Sequence, residues 1–183
     1  MKIEPLAIAD VKLITPTKHG DHRGFFSETW KKSTLDAAGI AADFVQDNHA
    51  FSAQSSTVRG LHYQLPPAAQ DKLVRVTRGA ILDVAVDIRR SSPTFGTWVS
   101  AVLSAANWAQ LWVPKGFAHG YCTLEPDTEV IYKVTDYYAP QLDRGIFWAD
   151  ATLAIDWPCA PAAAFVSDKD RMQPTFANAP VFD

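Results

Sequence analysis

The chain has 183 residues, with 17 Lys and Arg against 20 Asp and Glu, and a formal net charge of −3. Its 48% hydrophobic and 20% charged residues exclude a disordered chain and predict one globular domain over residues 1–183. The lack of a basic excess excludes a non-specific nucleic-acid binder, so an anionic ligand would be met by a few local cations. No apolar run approaches the ~20 residues that cross a bilayer, and the N-terminus lacks a signal-peptide pattern, which predicts a cytoplasmic protein without a membrane partner.

The predicted elements are mostly short strands separated by turn signals. In chain order, the first is a helix from Ser33 to Ala38, with Ser33 as its N-cap and Gly39 as its stop. The predicted strands are Arg59–Gln64, Leu73–Thr77, Ile81–Ile88, Trp98–Leu103, Gln110–Val113, Glu129–Thr135 and Gly145–Trp148. So little helix among so many strands indicates a β-sandwich or barrel. The pattern leaves a jelly roll and an up-and-down barrel open, while the missing Cys–Trp–Cys arrangement disfavours an immunoglobulin-like sandwich.

Side-chain alternation assigns faces on two of the predicted strands. On Ile81–Ile88, Leu82, Val84, Val86 and Ile88 share one face, and Asp83 and Asp87 share the other. On Arg59–Gln64, the same rule puts His62 and Gln64 on one face and Arg59 on the opposite face.

The two cysteines, Cys122 and Cys159, form no CxxC pair, which disfavours a structural zinc site. We expect two free, buried thiols, with a single disulfide as the alternative.

Cupin-type barrels often bind iron, manganese or zinc, so a metal site is the first alternative. Their ligands begin with two histidines one residue apart, followed by a carboxylate and a third histidine. Here Gln64 stands two residues after His62, and His119 is a single further donor. The sequence therefore disfavours a 2-His-1-carboxylate site and predicts no metal.

A metal-free acid–base site is the better alternative. A neutral imidazole such as that of His62 can accept a proton at neutral pH when a carboxylate orients it, and Asp170 is a candidate. Tyr132, alternating with valines, is on spacing alone an ordinary core tyrosine, and Lys72 a solvated strand end. Taken singly, each residue favours a structural role.

Taken together, a series of short segments changes that assessment: Gly20–Phe26, Phe44–His49, Val58–Gln64, Lys72–Val76, Asp83–Arg89, Ser91–Gly96 and Pro114–Gly120. In this order, from about Asp10 to Asp170, they resemble the dTDP-4-dehydrorhamnose 3,5-epimerase family. The resemblance implies an all-β, cupin-like jelly-roll sandwich or barrel with few short helices. It also implies a homodimer, with its N-terminal strands in the dimer contact, that uses no metal and no cofactor. The implied substrate is dTDP-4-dehydro-6-deoxy-D-glucose, converted to dTDP-4-dehydro-L-rhamnose for dTDP-L-rhamnose biosynthesis.

The same resemblance assigns residue roles. The family's base matches His62, its acid matches Tyr132, and the carboxylate that orients the base matches Asp170, with Asp168 as the alternative. Lys72 matches a position that contacts the nucleotide sugar. The positions that match substrate-binding residues are Arg23, Glu28, Gln46, Asp47, Asn48, Arg59, His119, Tyr138, Asp143 and Lys169. Among these, Tyr138 matches the aromatic near the thymine ring, and Asp143 stands where the family commonly has the longer glutamate.

The chemistry explains these residue types. C3 and C5 both flank the C4 ketone, so removal of either proton places negative charge on the C4 oxygen. A cation such as Lys72, with Arg59 or His119, would stabilise that enolate. Inversion needs two groups on opposite faces of the ring: His62 to take a proton and Tyr132 to give one. Arginine is suited to bidentate contact with the diphosphate.

Three alternatives stay open at this point. An epimerase that inverts only C3 or only C5 would carry the same motifs. A non-catalytic sugar-binding cupin would be expected to have lost His62 or Tyr132, and both are present. A metal-dependent cupin oxygenase is weakened by Gln64.

Overall fold

The computed structural model describes residues 1–183, and most of its regular structure is β-strand. The strands, in chain order, are Lys2–Pro5 (β1), Lys12–Thr15 (β2), Lys18–Asp21 (β3), Gly24–Ser27 (β4), Gln46–Ser52 (β5), Thr57–Gln64 (β6), Lys72–Arg78 (β7), Ala80–Asp87 (β8), Trp98–Ser104 (β9), Gln110–Val113 (β10), Phe117–Thr123 (β11), Thr128–Val134 (β12), Asp143–Gly145 (β13) and Phe165–Val166 (β14). The helices are Lys32–Ala37 (α1) and Asp168–Arg171 (α2), with 3-10 turns at Pro161–Ala163 and Phe176–Asn178. None of the helices is long and apolar enough to span a membrane.

The strands form two facing sheets. The first has the order β1-β2-β10-β7-β12-β5, and the second has the order β13-β6-β11-β8-β9, with β14 parallel to β6. Between β5 and β8 and between β9 and β13, the chain passes from one sheet to the other at every strand. This alternation belongs to a jelly roll, because sequential strands of an up-and-down barrel would be neighbours. The hairpin β3–β4 stands outside both sheets.

The space between the sheets is filled by an apolar core at one end only. Valines and leucines of β7 and β10 pack there against residues of β8, β9 and β11, among them Ile81, Leu103 and Phe117. Burial of such side chains contributes ~1.5–3 kcal/mol each, so this end of the sandwich supplies much of its stability. The other end can therefore hold polar side chains.

The faces predicted for β8 are those observed. Val84, Val86 and Ile88 point to the outside of the sandwich, where the C-terminal part of the chain covers them. Asp83 and Asp87 are fully buried on the other side. Burial alone would raise the pKa of Asp87, but hydrogen bonds from Arg89, Ser92 and Thr94 lower it to about 2.

Two local predictions were wrong at their boundaries. Helix α1 begins at Lys32, and Lys31 occupies the N-cap position without a side-chain hydrogen bond, so Ser33 lies inside the first turn and is not the cap. Gly39 does follow the helix, in the left-handed conformation that suits glycine. The predicted strand Gly145–Trp148 is β13 and ends at Gly145, because Phe147 leaves the sheet and donates its N–H to the carbonyl of Pro174.

Both cysteines are free thiols. Cys122 is buried, as expected, whereas Cys159 is only half-buried. Their Sγ atoms lie 3.7 Å apart.

Candidate active site

A cavity of about 610 Å³ occupies the polar end of the sandwich. Its walls come from both sheets: β7 and β12 on one side, β6 and β11 on the other, with β14 and α2 at the edge. The residues predicted for the site that line it are Arg59, His62, Lys72, His119, Tyr132, Tyr138, Asp143, Lys169 and Asp170. The fold therefore gathers in one place residues that are spread over more than a hundred positions of the chain.

His62 and Asp170 form a hydrogen-bonded pair inside this cavity. Nε2 of His62 lies 2.5 Å from Oδ1 of Asp170, and the carboxylate is only 3% exposed. Burial by itself would raise the pKa of Asp170, but the hydrogen bonds from His62 and from the N–H of Gly60 bring it below its ordinary value. The partner of His62 is thus an ionised carboxylate, whereas Asp168 is exposed.

Local structure explains how Asp170 reaches His62. Strand β14 pairs in parallel with β6 and leads directly into α2. Ser167 caps that helix, with its side chain accepting a hydrogen bond from the N–H of Asp170. The pairing of β14 with β6 therefore fixes where the short helix begins.

Arg59 and His62 lie on the same side of β6, which contradicts the alternation predicted for them. Across the sheet, His62 pairs with His119 and Arg59 pairs with Tyr121, with a β-bulge between these pairs. Two residues of β6, at Gly60 and Leu61, thus oppose one residue of β11, and the extra residue reverses the alternation. The bulge brings a cation and the histidine into one cavity.

His119 is paired with a second buried carboxylate. Its Nε2 lies 2.7 Å from Oδ1 of Asp83, and both side chains are buried. Since His119 is the cross-strand partner of His62, the two imidazoles stand side by side on the same wall. Each is fixed by its own aspartate.

Lys72 is a buried cation rather than the solvated strand end that spacing alone suggested. The residue is 8% exposed, and its Nζ donates a hydrogen bond to the carbonyl of His62 over 3.2 Å. Burial lowers the pKa of Lys72 to about 8, against the opposing charges of Asp143 and Asp83. An ammonium in this position is poorly solvated and suited to an anionic oxygen.

Tyr132 lies on β12, in the sheet opposite His62. Burial raises the pKa of its hydroxyl, while the charge of Arg59 acts in the other direction. The hydroxyl therefore carries its proton at neutral pH, as a proton donor must.

Three residues surround the mouth of the cavity: Tyr138, Asp143 and Lys169. The hydroxyl of Tyr138 donates to Oδ2 of Asp143 at 3.2 Å, and Nζ of Lys169 lies 2.5 Å from the same oxygen. That hydrogen bond raises the pKa of Lys169. The ring of Tyr138 is free to receive a flat ligand because the residue is 55% exposed.

Five predicted binding residues do not line the cavity of this chain. Gln46 and Asn48 bond to each other on β5 over 2.8 Å, beside the mouth. Asp47 points to the outer face and bonds to Lys133 at 3.1 Å, because alternation along β5 separates it from its neighbours. Arg23 pairs with Asp21 on the exposed hairpin β3–β4, and Glu28 follows that hairpin.

Sequence reasoning did not assign several residues that line the cavity: Gln64, Gln70, Tyr121, Ser167 and Arg171. Two of them carried a usable signal. Tyr121 is two residues after His119 and Gln64 is two residues after His62, so strand alternation places each beside a predicted site residue. Ser167 and Arg171 stand in one polar cluster with the predicted residues Lys169 and Asp170, but only the docking of β14 and α2 brings that cluster to the cavity.

No group of three or more His, Cys, Asp or Glu side chains is arranged to hold a metal ion. At the position where a metal-binding cupin has its second histidine, the Gln64 amide is bonded to main-chain groups.

Comparison with known proteins identifies the family. The family model described as dTDP-4-dehydrorhamnose 3,5-epimerase matches residues 5–178. The chain is 52% identical over 181 residues to the dTDP-4-dehydrorhamnose 3,5-epimerase of Sinorhizobium fredii, covering 99% of this chain and 92% of that protein. This chain belongs to the dTDP-4-dehydrorhamnose 3,5-epimerase family. It is accordingly an isomerase that acts on a nucleotide sugar.

Solved structures of the family agree with the fold. The Bacillus anthracis enzyme, determined with TDP and PPi bound, superposes with a TM-score of 0.92 at 50% identity, covering 95% of this chain and 98% of that one. The Legionella pneumophila enzyme, in complex with dTDP-4-keto-L-rhamnose, gives a TM-score of 0.93 at 42% identity, covering 100% and 98%. The architecture is therefore the cupin-like jelly roll that the resemblance implied.

Proposed function

We propose that this protein epimerises dTDP-4-dehydro-6-deoxy-D-glucose at C3 and C5, giving dTDP-4-dehydro-L-rhamnose, without a metal or cofactor. The observation that carries the proposal is the cavity itself. It holds a histidine oriented by a carboxylate on one sheet, and on the other sheet a protonated tyrosine and a buried lysine. Stepwise inversion next to a ketone requires these three kinds of group.

In the proposed mechanism, His62 takes the proton from C3 and later from C5. Asp170 accepts a hydrogen bond from one ring nitrogen, which leaves the other as the base and stabilises the imidazolium that forms. The electrons of each broken C–H bond move to the C4 oxygen, and Lys72 and His119 stabilise that enolate. Reprotonation on the opposite face completes each inversion, by solvent water at C3 and by Tyr132 at C5, and His62 releases its proton to solvent between the two steps.

The nucleotide is proposed to enter from the cavity mouth. Tyr138 offers its exposed ring to the thymine, and Lys169 and Arg59 offer charges to the diphosphate. Arg59 is held in place by two contacts, Nε to Ser52 Oγ at 3.3 Å and Nη2 to the carbonyl of Phe51 at 3.0 Å. Its remaining nitrogen stays free for a phosphate oxygen.

We also propose a homodimer in which Arg23 and Glu28 complete the partner's site. Both are family-matched binding residues, yet both lie on or just after an exposed hairpin outside the cavity of their own chain. Phe25 and Phe26 on that hairpin are 53% and 70% exposed, which is unusual for aromatic side chains and favours a protein contact. Residues 1–183 would then act as one epimerase domain, with the C-terminal segment completing its own site.

The proposed setting is the cytoplasm, where the enzyme would supply dTDP-L-rhamnose synthesis and hence cell-surface polysaccharide. Two free thiols 3.7 Å apart are compatible with a reducing compartment.

The decisive test is proton NMR of the purified protein with dTDP-4-dehydro-6-deoxy-D-glucose in D2O. We expect deuterium at C3 and at C5 and a product with both centres inverted. Exchange and inversion at one carbon only would replace the proposal with a mono-epimerase. Binding without any exchange would indicate a non-catalytic sugar-binding protein.

A further inference from the structure

Gln64 is a buried glutamine whose side-chain amide makes three hydrogen bonds, all to main-chain groups. The residue is 4% exposed. Its Nε2 donates to the carbonyl of Ala68 at 2.7 Å and to the carbonyl of Tyr137 at 3.1 Å, and its Oε1 accepts from the N–H of Ala139 at 2.7 Å. All three contacts lie within ordinary hydrogen-bond distance.

Two of these contacts bracket a single residue, Tyr138. Gln64 holds the carbonyl of the residue before it and the N–H of the residue after it. The loop that carries Tyr138 connects β12 to β13, and β13 pairs with β6 so that Asp143 is opposite Gln64. Gln64 therefore anchors the main chain of this loop, while the ring of Tyr138 stays exposed at the cavity mouth.

Other contacts also hold the loop: main-chain bonds from Leu65 to Leu142 and from Thr135 to Asp71 fix its two ends. Gln70 donates to the carbonyl of Asp136 at 2.8 Å, and Gln46 accepts from the N–H of Tyr138 at a longer 3.3 Å. Removing Gln64 would thus free the two peptide groups that flank the tyrosine and leave them without their buried partner.

We propose that Gln64 is a positioning residue for the nucleobase end of the substrate: it clamps the main chain on both sides of Tyr138 and so fixes the aromatic platform at the cavity mouth. This inference rests on the proposed function. It concerns a residue that acts through Tyr138 and does not itself touch the reacting carbons.

Gln64 lies on the same strand, β6, as the proposed base His62. Gln64 and His62 are two residues apart, so their Cα atoms are separated by ~6.6 Å along one strand. The proposed base and the anchor of the nucleobase platform are therefore parts of the same rigid element. A nucleotide stacked on Tyr138 would have its sugar held at a set distance from His62, which takes the sugar's protons.

The test is a double-mutant cycle with dTDP as the probe, measured by calorimetry on the full chain. Gln64→Met keeps the side-chain length and removes all three hydrogen bonds. We expect it to weaken dTDP binding about tenfold and to raise KM similarly, with kcat at saturation changed less than about threefold. In a Tyr138→Ala background the same change should cause no further loss.

Controls separate this role from a general loss of stability. Trp98→Phe also removes a side-chain anchor of a loop, the 3.0 Å bond from Nε1 to the carbonyl of Leu153, far from the cavity. It should lower the melting temperature and leave the Kd of dTDP unchanged. If Gln64→Met fails to fold, Gln64→Glu keeps the acceptor for Ala139 and removes only the two donors, and the same cycle applies.

Equal losses of dTDP affinity with and without the Tyr138 side chain would overturn the inference, as would an unchanged Kd in a folded Gln64 variant. Failure of the proposed function has a different signature. The wild-type protein would then bind no dTDP, or would bind it and catalyse no exchange at C3 and C5.

Discussion

His62 differs from an ordinary strand histidine through its contacts. An ionised, buried Asp170 holds one ring nitrogen at 2.5 Å, and the carbonyl of the same histidine accepts a hydrogen bond from Lys72. A carboxylate partner stabilises the imidazolium that forms on proton abstraction. The proposed base is therefore set up by Asp170, 108 positions away in the chain, and by Lys72 on the facing sheet.

Replacing His62 with alanine removes the only proposed acceptor of the C3 and C5 protons. We expect His62→Ala to abolish deuterium uptake at both carbons in D2O while dTDP binding persists. Proton NMR of the sugar measures the exchange, and calorimetry with dTDP serves as the folding control. Full exchange in this variant would eliminate His62 as the base.

Tyr132→Phe removes the proposed acid and leaves the base intact. Abstraction at C3 should continue, so deuterium still enters there, whereas formation of the C5-inverted product should fall by about 100-fold or more. The two signals are resolved in one NMR time course. Undiminished formation of the dTDP-L-sugar by this variant would contradict the assignment.

The lowered pKa of Lys72 sets a pH limit on activity. With its pKa at about 8, the ammonium is present below that pH and is lost as the pH rises through it. The proposed stabilisation of the enolate is lost with it, so kcat/KM should fall about tenfold per pH unit above this point. Lys72→Arg, whose side chain keeps its charge, should move this fall in kcat/KM to higher pH. A kcat/KM that stays level up to about pH 10 would show that the charge of Lys72 is not needed.

At the scale of elements, strand β6 contributes most to the site. Its bulge turns Arg59 and His62 to the same side, its end carries Gln64, and its outer edge pairs with β14. The close approach at the bulge depends on glycine. A Cβ on Gly60 would lie 2.6 Å from Cα of Gly120 and 2.8 Å from the carbonyl oxygen of His119, at a φ of +130°.

Gly60→Ala should therefore lower both stability and activity. We expect a loss of about 2 kcal/mol or more in the free energy of unfolding, from the left-handed backbone and the contact with β11. Chemical denaturation measures it. Gly24→Ala is the matched control, because its φ is +135° and a Cβ there meets no atom within 4 Å. Equal losses in the two variants would mean that the close approach to β11 contributes nothing.

At the scale of the whole molecule, the site is divided between the cavity and the N-terminal hairpin. The cavity contains the proposed acid, base and enolate-stabilising groups, whereas Arg23 and Glu28 lie outside it. In the proposed homodimer each hairpin would complete the cavity of the other protomer. Activity would then depend on assembly even though each chain contains all catalytic residues.

Mixing His62→Ala with Arg23→Ala, each of which we expect to be inactive alone, tests this division. In a dimer of His62→Ala with Arg23→Ala, one site has both changes and the other has neither. After unfolding and refolding of an equal mixture, about a quarter of the wild-type activity should return. Each variant refolded alone is the control. No recovery, together with a dimer by sedimentation, would place Arg23 in the site of its own chain.

The sequence by itself determined much about this protein. Short strands with polar turns predicted an all-β sandwich, and the ordered segments predicted the epimerase family, which the comparisons confirmed. These features are readable because alternation and motif order are local properties of the chain. The types of residue available for the chemistry were also visible, including His62, Lys72 and Tyr132.

Only the tertiary structure decided how these residues are arranged. It joins His62 to Asp170 across 108 positions, turns Arg59 to the same side through a bulge, and leaves Arg23 on a separate hairpin. It also buries Lys72, which lowers its pKa, and sets Gln64 beneath Tyr138. Each of these depends on strand order and register between distant segments, and no local pattern encodes which strands become neighbours.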